Sequence, residues 1–287
     1  MPVARMVLGP WGRRFAVVGA FLLAAMAVVP TGADPVPSTG GGHGIVRGPA
    51  RESSGEGRPG PGNGRGWGRP VASDHFTGRT LDREAWEVYD GPGHGGNGRR
   101  SPSAVTVRHG VLTITGRRDG TTGGIAWRRG ARRYGRWEAR IRMSRGCACY
   151  HPVLLLWPVQ GGGGVSPRGG GGEIDYAETI DDGRRRHTAF YLHYGPEDGD
   201  RRLDARIGAD LTRWHVFAVE WTPRGISGFM DGRRFFHTTD PAVQPSGPMG
   251  QTLQLDWFPH DRRDTARTVD PSAPATLQAD WIRMYGL

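Results

Sequence analysis

The feature that most constrains this chain is the spacing of its apolar residues. From about residue 70 onward they recur at alternate positions in short runs, and no long stretch repeats at helical spacing. Tyr134 to Met143 (YGRWEARIRM) and Trp214 to Trp221 alternate with period two, the pattern of strands with one buried face. Pro152 to Trp157 (PVLLLW) is a continuous apolar run, as in a buried strand. Ala104 to Val107 and Val111 to Ile114 flank His109-Gly110, while Ile226 to Met230 and Arg233 to His237 flank Asp231-Gly232. Each pair predicts a hairpin. Leu253 to Trp257 and Trp281 to Tyr285 supply the last strands. The 48 glycines and 22 prolines hold the apolar fraction to 36% and punctuate turns, which suits an all-β chain better than a helical one. The expected fold is all-β, a sandwich or jelly roll, with no internal repeat.

The chain divides into three. Residues 1–33 read as a signal peptide: Arg5, Arg13 and Arg14 precede the apolar run Phe15 to Val29, and Thr31-Gly32-Ala33 offers small residues for cleavage. The run is shorter than the ~20 residues of a membrane span, and no later segment is apolar enough to cross. Arg13-Arg14 partly matches a twin-arginine signal, so the export route stays open. Residues 34–69, dominated by Gly, Pro, Ser and Arg, read as a disordered linker in which Trp67 marks the approach to the folded domain. Residues 70–287 form the expected catalytic domain. These features predict a secreted protein, and a monomer is expected.

Removing the three leader arginines lowers the formal charge from +10 to +7. Every basic residue is Arg and none is Lys, scattered as loop pairs such as Arg99-Arg100 and Arg132-Arg133. Base composition accounts for this more simply than an anionic partner does. No nucleic-acid motif accompanies it, so no nucleic-acid partner is expected. Cys147 and Cys149 would lie ~6.5 Å apart on one face of a strand, near the upper limit for a disulfide. A strained bridge and a pair of small buried thiols both fit. No second ligand pair accompanies them, so neither a metal site nor a cofactor is expected.

The segment Gly171 to Thr179 reads GGEIDYAET. Glu173 and Asp175 are two apart and share a strand face. Glu178 would face away in a regular strand, but a single β-bulge between Asp175 and Glu178 returns it to the same side. Like charges so placed repel and raise at least one pKa, a cost rarely accepted for structure alone. Glycoside hydrolysis needs such a set: one carboxylate attacks the anomeric carbon, and a protonated one donates to the leaving oxygen. Retention requires carboxyls ~5–5.5 Å apart, whereas a flat strand sets the two Glu Cα atoms ~13 Å apart. Strand bend and inclined side chains must close that gap.

GGEIDYAET resembles the signature of glycoside hydrolase family 16. The resemblance runs from about Ser73 to Leu287. It takes in FTGRTLDREAWEVYDG, YGRWEARIRM, the LLLWP run, LHYG, WHVFAVEWTPRGISGFMDG and DWIRMY, in the family's order. It implies a β-jelly-roll sandwich whose concave face binds a polysaccharide. It implies Glu173 as nucleophile, Glu178 as acid/base, Asp175 as the assisting acid, and retention of configuration. Two residues between Asp175 and Glu178 resemble the laminarinase-like branch, with agar- and carrageenan-cleaving relatives sharing that spacing. Lichenases and plant xyloglucan enzymes typically lack the extra residue. The activity implied is endo-hydrolysis of β-1,3- or mixed-linkage β-glucan. Some relatives carry a structural calcium remote from the cleft, for which no ligands are assigned here.

Sugar rings stack on aromatic side chains and offer hydroxyls to polar ones. Trp257, in LQLDWFP, resembles a sugar-stacking family position, and Gln254 stands where many relatives carry Asn. Trp157 ends the apolar run and fits either cleft or core. His193, in YLHYG, fits a bond to a catalytic carboxylate or to substrate. The glycine runs 161–164 and 169–172 suit either a cleft rim or an insertion without a role. A non-catalytic sugar-binding jelly roll is the competing class. Such a protein can lose either Glu, whereas all three acids are present here.

Overall fold

The computed structural model describes residues 66–159, 172–195, 201–259 and 274–287. The predicted leader, nearly all of the predicted linker and the glycine runs up to Gly171 lie outside these residues.

Two antiparallel sheets face each other. One runs Arg201–Gly208, His187–Tyr194, Glu173–Glu178, Tyr150–Pro158, Met249–Trp257, Gly124–Trp127, Trp86–Val88 in spatial order. The other runs Arg233–Thr238, Gly225–Met230, His215–Thr222, Gly135–Met143, Ala275–Tyr285, Val111–Gly116, Val105–Arg108, with Ala72–Asp74 also paired to Ala275–Tyr285. Non-sequential neighbours in both sheets are the mark of a jelly roll, and the antiparallel sandwich agrees with the all-β expectation. Among the described residues no helix is long and apolar enough to cross a membrane.

Both predicted hairpins form. Arg108 pairs with Val111 across His109 and Gly110, at φ 51° and 73°. Met230 pairs with Arg233 across Asp231 and Gly232, at φ 48° and 80°. Two successive left-handed residues give a turn whose twist matches that of the strands. The structure adds the edge strand Arg201–Gly208, a short repeat in which Leu203, Ala205 and Ile207 alternate with Arg202, Asp204 and Arg206.

The core lies between the sheets. Leu154, Leu156, Ile174, Tyr176 and Phe190 meet Trp137, Ile141, Phe217 and Trp221, all buried. Tyr176, on the strand bearing the acids, donates its hydroxyl to Gln251 Oε1 at 2.6 Å, and Gln251 Nε2 donates to the Thr252 carbonyl at 2.8 Å. Phe190 stacks on Phe236 with centroids 4.0 Å apart and covers Gly228, where a Cβ would fall 2.3 Å from its ring. Phe190→Ala is expected to destabilise the domain by about 3–5 kcal/mol through lost burial and a residual cavity, read from the midpoint of urea unfolding.

Trp67 meets Tyr285 edge-on at 5.5 Å, and the Arg136 guanidinium lies over its ring at 5.6 Å. Cys147 and Cys149 are joined by a disulfide, and both are buried. They lie in a loop and turn ahead of Tyr150–Pro158 rather than on an extended strand, which draws their Cα atoms to 5.1 Å.

Candidate active site

The acidic strand carries the bulge that its sequence called for. Asp175 pairs with Tyr191 and Glu178 with Ala189, so Tyr176 and Ala177 together oppose the single residue Phe190. Both go into the core with Ile174, and Glu173, Asp175 and Glu178 emerge on the opposite face. The neighbouring strands extend that face. Glu178 lies in a row with Val153 and Gln254, and Asp175 in a row with Leu155 and Thr252. On the other side Glu173 pairs with His193, and His193 with Arg202.

His193 Nε2 lies 3.3 Å from Asp175 Oδ2, bringing the histidine to the central carboxylate. Trp157 shares the face of Val153 and Leu155, and it lines a pocket of about 200 Å³ with Tyr89, Arg128 and Thr252. Gln254 is half-buried on the same face. Trp257 departs from expectation. It has the parity of Leu253 and Leu255, packs against the core, and sets its indole on the backbone of Gly98 and Gly120. The residue of that segment turned to the carboxylate face is Asp256, two positions after Gln254.

Desolvation is the main force on the two glutamates, and it raises the pKa of each well above the usual carboxylate range. The charge of Asp175 adds to both, while His193 opposes it in both cases. The set therefore retains a proton at pH values where an ordinary glutamate has lost its own, as a carboxyl that must act as an acid requires. Asp256 also raises Glu178, and Arg202 lowers it. Asp175→Asn removes the Asp175 charge from both neighbours and so lets each ionise at lower pH. The pH–rate profile should shift to lower pH on both limbs, with turnover reduced by on the order of 10²-fold.

Glu173, Asp175 and His193 each offer one ligand atom, all within 4.8 Å of one another. The arrangement is that of the acidic face itself, with His193 already beside Asp175. Sequence reasoning passed over Tyr89, Arg100, Tyr191, Arg202 and Asp256, which also reach this region. For Asp256 the signal was available, since it has the strand parity of Gln254, whereas Arg202 comes to the site from a strand the sequence did not predict. Tyr89 and Arg100 arrive from remote segments without such a signal.

A bulged strand with three carboxylates on one face of an antiparallel jelly roll is the frame of a glycoside hydrolase. The family described as Glycosyl hydrolases family 16 matches residues 97–283. A β-glucanase of Rhodothermus marinus is 30% identical over 250 residues, covering 75% of this chain and 84% of that protein. The laminarinase from Rhodothermus marinus superposes with a TM-score of 0.63 at 25% identity, covering 76% of this chain and 96% of that one. The laminarinase catalytic domain from Thermotoga maritima MSB8 gives a TM-score of 0.65 at 19% identity, over 76% and 98%, a likeness of fold. The chain belongs to glycosyl hydrolases family 16.

Proposed function

We propose that this protein is an exported, retaining endo-β-glycanase that hydrolyses β-1,3- or mixed-linkage β-glucan as a monomer. The observation that carries the reading is the bulge at Tyr176-Ala177, which turns Glu178 to the face of Glu173 and Asp175. Glu173 attacks the anomeric carbon, and Glu178 protonates the departing oxygen. Glu178 then deprotonates the water that releases the glycosyl-enzyme. Asp175, with His193 beside it, adjusts the charge between the two. The β-glucanase and laminarinase names of the Rhodothermus relatives support the substrate.

The test is reducing-sugar release from laminarin, lichenan, agarose and an acidic exopolysaccharide, with product sizes for the cleavage mode and proton NMR for the first-formed anomer. Short β-glucan oligomers released with retained configuration are the expected result. A second reading, cleavage of an acidic polymer, is favoured by Arg202 and Arg206. Both are exposed on the strand Arg201–Gly208, paired with His193 and Ala189 of the strand beside the acidic one. Salt-sensitive activity confined to the acidic polymer would select it. For export, the secreted protein should begin near Asp34, and an intact Met1 on extracellular material would overturn that part.

A further inference from the structure

We propose that the buried ion pair between Asp256 and Arg100 sets the side-chain amide of Gln254, so that Gln254 Oε1 faces substrate as the acceptor for a sugar hydroxyl. Asp256 is then a positioning residue. The inference rests on the reading of this face as a glycan-binding one.

Gln254 and Asp256 are two apart on Met249–Trp257 and project to the same side. Gln254 stands in the row of Glu178, two strand spacings or about 10 Å away, within reach of a sugar unit near the one being cleaved. Asp256 is buried, and both of its oxygens are engaged. Oδ1 accepts from Arg100 Nη2 at 2.5 Å, and Oδ2 accepts from Gln254 Nε2 at 2.8 Å. His94 Nδ1 lies 3.9 Å from the second oxygen. The two ends of an amide have nearly the same shape, so its orientation is dictated by its partner. The guanidinium donates to one Asp256 oxygen and the Gln254 NH₂ to the other, and a carboxylate between two donors only accepts. It admits the NH₂ of Gln254 and rejects the carbonyl. Oε1 is thereby turned outward on a half-exposed side chain.

The surroundings hold this arrangement. Arg100 lies over the Tyr89 ring, 5.4 Å from its centroid. Tyr89 packs on Gly124, where a Cβ would fall 2.4 Å from the ring and 3.3 Å from Gln254 Cβ. Tyr89 and Gln254 are thus neighbours above that glycine. An asparagine at 256 would give its oxygen to Arg100 and its NH₂ to Gln254. Gln254 would then turn its carbonyl inward and offer a donor where substrate meets an acceptor.

The experiment is a double-mutant cycle of Asp256→Asn and Gln254→Ala. It is read as kcat and KM on oligosaccharides of whichever polymer of the panel the wild type cleaves. Each variant is measured on its own pH plateau, because Asp256 also acts on Glu178. Each single variant should raise KM about tenfold, the loss of one hydrogen bond, with kcat within about threefold of wild type. The double variant should be no worse than Gln254→Ala alone. Losses that multiply to about 100-fold, or a loss in kcat with KM unchanged, would overturn the proposal, since a merely structural Asp256 would act independently of Gln254. If Asp256→Asn has no cooperative melting transition, Arg100→Gln replaces it in the same cycle with the same two outcomes. A wild type that cleaves a polymer other than β-glucan defeats the substrate reading alone, and the cycle on that polymer's oligosaccharides still decides this one.

Discussion

Replacing Glu173 with Gln is expected to lower turnover by on the order of 10⁴-fold or more, because an amide cannot form the covalent glycosyl-enzyme. The side chain keeps its size, so oligosaccharide affinity, read by calorimetry, should stay close to wild type. Stability gives a second readout. Burial and the Asp175 charge hold the Glu173 carboxyl above the usual range in the folded protein. An acid whose folded pKa is raised binds more protons folded than unfolded, and its contribution to stability falls as pH rises from the unfolded pKa through the folded one. Glutamine removes that loss. The variant should therefore melt above wild type at neutral pH, by roughly 2–4 °C for each kcal/mol relieved in a domain of this size. The difference should close at a pH below the ordinary glutamate value. Wild-type turnover in Glu173→Gln would overturn the assigned mechanism, whatever the melting temperature.

Glu178→Ala should separate substrates by leaving group. Natural linkages depart poorly without a proton, and their hydrolysis should fall by about 10²–10⁴-fold, the usual contribution of a general acid. Glycosides with an activated aryl leaving group need no proton to depart, so their first step should be nearly spared. The second step still lacks its base, so the intermediate accumulates, visible as a burst of released phenol. Azide, which needs no deprotonation, should restore the slow step and yield a glycosyl azide of the same anomeric configuration as the substrate. An equal loss on both substrate classes would assign the acid role to another residue.

Much of the fold was legible because strand pairing writes itself locally. Period-two alternation in YGRWEARIRM and the left-handed pairs His109-Gly110 and Asp231-Gly232 are decided within a few residues, and both hairpins follow. Arg201–Gly208 gives a weaker signal: Leu203, Ala205 and Ile207 alternate with Arg202, Asp204 and Arg206, but the repeat spans only three apolar residues, one of them Ala, on an edge strand. The bulge at Tyr176-Ala177 was legible as a requirement. Three acids spaced two and three apart share a face only if one extra residue is absorbed.

Within the acidic face, sequence alone determined the identity and spacing of Glu173, Asp175 and Glu178, because six residues of one strand leave the backbone few ways to arrange them. Tertiary structure decided what surrounds them. His193 reaches Asp175 because its strand pairs in a register that puts it opposite Glu173. Trp257 is withdrawn toward the core and Asp256 takes its place on the site face, a matter of one residue of parity. Arg100 meets Asp256 across 156 residues of chain. Such contacts depend on where the sheets bring distant segments together, and no local pattern encodes that.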